Sequence, residues 1–141
     1  MTKFVIHNED SINKAWEHVM KCNHKFSISL YQNEIITDLL AKIILKFKSN
    51  VESIKMKPIF IMVPYLEDLR HHNKRNMAYY HEIIEVLDDK MLTIDMSKKF
   101  LKYPLKEKLY VSTSFGAHLS ELGNKILAEE IALKLEAKGL A

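Results

Sequence analysis

Residues 57–64 read Lys57-Pro58-Ile59-Phe60-Ile61-Met62-Val63-Pro64, five consecutive apolar side chains between two prolines. Proline has no N–H to donate, so each one ends regular pairing and the run is bounded on both sides. A short run with no polar alternation predicts a strand buried on both faces, the kind found in parallel sheets. Downstream, residues 73–87 carry Met77, Tyr80, Ile83, Ile84 and Leu87 at helical spacing. Met91-Leu92-Thr93-Ile94-Asp95 then gives a second short strand. Strand, helix and strand within 37 residues predict a βαβ unit, with parallel neighbours joined by a right-handed crossover. A third extended segment is expected around Leu109-Tyr110-Val111.

The flanks read as helices. Ile12, Ala15, Trp16 and Val19 mark one over residues 10–20. Ile35, Ile36, Leu39, Leu40, Ile43, Ile44 and Phe47 make a broad apolar stripe over residues 30–48. The last helix is expected over residues 120–138, with Ser120 as its N-cap and Leu122, Ile126, Ile131 and Leu135 facing inward. The order ααβαβ(β)α predicts one α/β domain, a short parallel sheet flanked by helices. It comprises a helical segment, 1–50, and an α/β segment, 51–141. So thin a parallel sheet needs cover. Either the N-terminal helices supply it, or it comes from a missing N-terminal half or a second copy in a homodimer.

Composition narrows the function classes. The chain has 141 residues, 48% apolar and 28% charged, with the balance of a folded domain. Its one cysteine, Cys22, excludes an internal disulfide. The three glycines are Gly116, Gly123 and Gly139, so the first 115 residues contain none. A phosphate-cradling P-loop, a dinucleotide-binding GxGxxG turn and a GxSxG elbow all need glycine and are excluded there. The 21 basic and 18 acidic residues are interspersed, and Arg70 and Arg75 are the only arginines. That pattern does not fit base reading, so no nucleic-acid partner is expected. Neither a signal-peptide pattern nor a membrane-length apolar run is present, and a cytoplasmic chain with no membrane partner is expected.

Among polar clusters, His71-His72 with His81 offers metal-ligand chemistry, but adjacent histidines diverge and no zincin spacing exists. No metal or cofactor is expected. Glu67-Asp68 follows the first strand, and it either caps a helix or faces a cleft at the strand's carboxyl end. Tyr79-Tyr80 and the seven methionines are expected in or beside the core.

The stretch Leu109 to Leu135, LYVSTSFGAHLSELGNKILAEEIALKL, carries a family resemblance. His118-Leu119-Ser120, then Gly123-Asn124, Ala128 and Ile131, resembles the C-terminal block of the SGNH (GDSL-type) hydrolases. Residues 57–64 resemble that family's fourth strand and Leu92-Thr93-Ile94-Asp95 its fifth, so the resemblance spans roughly Ser53 to Leu135. It implies the C-terminal half of a flavodoxin-like fold, with His118 as the general base of a serine hydrolase acting on a small ester. Two departures accompany it. The family's aspartate, three residues before the histidine, is replaced by Phe115. Asp95 and Glu121 are the alternative carboxylates, against roles in a strand-end turn and a helix first turn. The family's Gly-Asp-Ser and Gly-x-Asn-Asp blocks are missing, since Asn8-Glu9-Asp10 and Asn33-Glu34 lack the glycine. The expectation is therefore the C-terminal portion of such a hydrolase, inactive alone. The alternative is a complete non-catalytic α/β module for self-association or protein-partner binding.

Overall fold

The computed structural model describes residues 9–111 and 118–140. Phe115, Gly116 and Asn8, singled out in the sequence, lie outside them. The chain opens with α1 (Glu9–Tyr31) and α2 (Glu34–Ser53), then β1 (Ile59–Met62). The crossover holds α3 (Leu66–Arg75) and α4 (His81–Asp88) and leads to β2 (Leu92–Asp95). A five-residue helix, α5 (Ser97–Leu101), and a 3-10 turn (Lys106–Leu109) precede α6 (Glu121–Ala137). The protein is α/β in character, mostly helical around a short sheet.

β1 and β2 pair in parallel, Ile59 opposite Leu92 through Met62 opposite Asp95. The Met96 N–H adds one further bond, to the Met62 carbonyl at 3.0 Å. Side chains alternate across a strand, so the pair feeds two cores. Phe60 and Met62 pack with Ala41, Tyr80, Ile83 and Leu87 beneath α2 and α4. Ile59, Ile61 and Ile94 pack with Leu69, Met96, Phe100 and Leu109, against which Leu122 and Ile126 of α6 close. Full burial of side chains such as Leu87 and Phe100 contributes about 1.5–3 kcal/mol each. Helices thus cover both faces, and α2 supplies part of that cover.

Four expectations change. The first helix runs on to Tyr31, since no glycine or proline interrupts it, and the break falls where the Asn33 side chain accepts the Ile35 and Ile36 N–H groups. The helix expected over 73–87 is two helices, because Asn76 ends α3 in the left-handed conformation, φ 56°, which asparagine tolerates. α5 was not foreseen. The extended segment at Leu109–Val111 is not a third parallel strand. Tyr110 forms an isolated antiparallel bridge with Leu119, and its buried hydroxyl donates to the Pro64 carbonyl at 2.9 Å. Among the described residues each strand has one partner, so neither is central.

Ser120 caps α6 as expected, accepting the Gly123 N–H at 3.1 Å. Gly123 meets a second demand: a Cβ there would lie 2.3 Å from the Leu109 carbonyl oxygen and 3.1 Å from Leu119 Cδ2. That carbonyl is held by the Ser120 N–H at 2.8 Å, so it cannot retreat freely. Gly123→Ala is expected to destabilise by about 1–3 kcal/mol despite alanine's better helix propensity. Urea unfolding checks this, and a variant as stable as the parent would contradict it.

Candidate functional site

The carboxyl end of β1 continues through Val63, Pro64 and Tyr65 into α3. Across from it lies α1, and between them opens a cavity of about 920 Å³. α1 contributes Glu17, Lys21, His24 and Tyr31, residues three, four and seven apart and hence on one face. The opposite wall includes Met62, Tyr65, Asp68 and Tyr79, and His118 lines it as well. α1 is therefore turned polar side inward, while Ile12, Trp16, Val19 and Phe26 are exposed.

Asp68 organises this wall. It is 7% exposed and lies in the first turn of α3, where a helix N-terminus favours negative charge. Its Oδ2 accepts the Tyr65 N–H at 2.8 Å, and Oδ1 accepts the Tyr79 hydroxyl at 2.9 Å. His24 Nδ1 stands 3.2 Å from the same Oδ1. A carboxylate accepts only, so in neutral His24 the proton belongs on Nδ1 and Nε2 carries the lone pair. Rings surround the pair: His24 meets Tyr79 edge-on at 5.7 Å and His71 at 5.8 Å between centroids. The two roles weighed for Asp68 coexist, because one oxygen caps the helix and the other receives donors at the cavity. Glu67, beside it, pairs with Arg70.

Burial sets the electrostatics. It raises the Tyr79 phenol far above its ordinary range, and the Asp68 charge and hydrogen bond add to the effect. Tyr80 is raised by burial and then Asp95, and Tyr110 by burial and then Asp68. Tyr31 is raised for the same reasons as Tyr110. Desolvation lowers His71, aided by His24 and Arg75 and opposed by Asp68. It also lowers His72, against the pull of Asp95. Both have a buried Nδ1 with no hydrogen-bond partner among the described residues, which favours the neutral ring.

His118 is exposed two residues before the Ser120 cap of α6, its carbonyl accepting the Val111 N–H at 2.9 Å. The structure does not bring the two alternative carboxylates to this cavity. Asp95 accepts the Ser97 N–H and hydroxyl in a strand-end turn, at 2.9 and 2.8 Å, and lines a separate cavity of about 390 Å³ beside Lys98 and Lys99. Glu121 is exposed in the first turn of α6. Of the histidine cluster, His71 packs on His24 and Tyr79, whereas His81 pairs with Glu85 at 3.0 Å. Among the described residues, no three His, Cys, Asp or Glu side chains form a metal-binding group, and no helix is long and apolar enough to cross a membrane.

Sequence reasoning missed His24 and Tyr31. Their signal was the polar face Glu17, Lys21, His24, Tyr31, with period near 3.6, on a helix read only to residue 20. Comparison with protein-family models, curated proteins and solved structures finds no match to this chain.

The titrations fix two edges of stability. The folded state holds His71 and His72 below the ordinary 6.5, so their contribution is present above pH 6.5 and is lost as the pH falls below it. It holds Tyr79, Tyr80 and Tyr110 above the ordinary 10.0, so theirs is complete below pH 10 and declines as the pH rises beyond it. Thermal unfolding across pH is expected to fall off at both edges, with tyrosinate absorbance appearing together with unfolding at the alkaline one. Tyrosines titrating normally in a folded chain would contradict the burial assigned here.

Proposed function

We propose that this chain is the histidine-bearing C-terminal portion of an SGNH-like serine hydrolase of the cytoplasm, and that it does not hydrolyse esters unaided. The observation that carries the reading is the position of His118. It stands two residues before the cap of α6 and lines a cavity with residues from the carboxyl end of a parallel strand, where α/β folds place ligands. Gly123 in the resembling motif supports it, since only glycine lets α6 start against Leu109.

In the complete protein a serine hydroxyl gives its proton to His118 Nε2 and attacks the carbonyl of a small ester. The ester C–O bond breaks, and His118 passes that proton to the departing alcohol. Water or another alcohol then takes the acyl group from the serine, giving its own proton back through His118 to the serine oxygen. The serine and its oxyanion donors belong to residues outside this sequence, and the Phe115 position leaves His118 without the family's carboxylate.

A second reading is a non-catalytic α/β module for self-association. Its support is the apolar surface on α1 and α2, where Phe26, Ile35, Leu39, Ile43 and Phe47 are exposed. A two-fold dimer is the commonest way to hide such a surface.

Loss of a nucleophile removes about 10⁶ from turnover, so the pure chain is expected neither to hydrolyse 4-nitrophenyl acetate nor to take up a fluorophosphonate. Ester turnover that vanishes in His118→Ala would contradict the inactive-portion reading. The second reading expects a homodimer at micromolar concentration by light scattering, and a clean monomer would refute it.

A further inference from the structure

His118 is exposed and forms no ion pair among the described residues. The imidazole of this cavity that a carboxylate does orient is His24. We propose that His24 and Asp68 form a proton-accepting dyad that binds the hydroxyl group of a small phenolic compound in the cavity between α1 and β1.

The geometry supplies each part. Asp68 Oδ1, 3.2 Å from His24 Nδ1, fixes the ring and its tautomer, leaving Nε2 as the acceptor. Tyr79 donates to the same oxygen and Tyr65 N–H to the other, so the carboxylate is immobile before any ligand arrives. The His24 and Asp68 side chains are 17% and 8% exposed, so the pair is largely shielded from water. Tyr31, Tyr65 and Met62 line the cavity and offer an aromatic and apolar seat. Lys14 adds positive charge to the α1 wall, where Lys21 is paired with Glu17 at 2.8 Å.

These features favour a ring bearing an acidic hydroxyl over an aliphatic alcohol, because an imidazole can take the proton outright only from an activated hydroxyl. The step is a single proton transfer. The hydroxyl O–H bond breaks, its electron pair stays on oxygen, and the proton passes to Nε2. The imidazolium then faces Asp68 on one side and the phenolate on the other. The inference does not use the serine-hydrolase reading. It depends on His24 and a phenol, whereas that reading depends on His118 and ester turnover.

The test uses the intact chain with 4-nitrophenol. Long-range ¹H–¹⁵N spectra of the unliganded protein are expected to show His24 as the Nδ1–H tautomer. Titration with 4-nitrophenol at fixed pH is expected to shift the His24 Nε2 resonance and raise the phenolate absorbance. In His24→Gln, which cannot accept the proton, affinity should fall about tenfold and the added phenolate absorbance should disappear. The Nε2–H tautomer in wild-type protein overturns the proposal without recourse to any variant. So does an unchanged phenolate signal in His24→Gln, or no binding at millimolar concentration.

Discussion

A carboxylate removed from water must be surrounded by donors, and Asp68 meets that requirement with groups from three places in the chain. One oxygen takes the Tyr65 N–H at the start of its own helix, and the other takes the Tyr79 hydroxyl and faces His24 Nδ1. These contacts join α1, α3 and the approach to α4 at the carboxyl end of β1. Hydrogen bonds to a charged group contribute about 1.5–3 kcal/mol each, and an unsatisfied buried one costs at least as much. The site therefore holds together as a unit, and it fastens α1, which also packs on α2 and, through Tyr31, on the core beneath α4.

The orientation of α1 follows. Its polar face, with Glu17, Lys21 and His24, looks into the cavity, while Trp16 and Phe26 look outward. α2 differs: Thr37 and Ala41 are buried while Ile35 and Phe47 remain exposed. A helix apolar on two sides packs one side on its own core and leaves the other for something else. That surface is the common ground of the two functional readings, since a missing half of the fold and a second copy would both cover it.

The strands were legible in the sequence because a buried parallel strand needs an unbroken apolar run, and Pro58 and Pro64 bound this one. The cap at Ser120 was legible because a side-chain oxygen does local work there, whereas the close approach that Gly123 permits involves Leu109, fourteen positions away, and was not. Helix breaks were not, since they depend on Asn33 and Asn76, and asparagine is equally at home in other settings. The segment at Leu109–Val111 was read correctly as extended at Tyr110, φ −127° and ψ 146°, but backbone conformation alone does not name a partner, and that partner is Leu119. His118 was found through a resemblance, whereas His24 was missed because its role depends on a carboxylate 44 positions away. No spacing rule reaches that far.

Docking of α1 over the carboxyl end of β1 through His24 is tested most directly by ring-to-ring nuclear Overhauser contacts. With His24 at 5.7 Å from Tyr79 and 5.8 Å from His71 between centroids, aromatic cross-peaks among all three rings are predicted in solution. A His24 ring without contacts to Tyr79 or His71 in the folded protein would place α1 elsewhere and contradict the site as described.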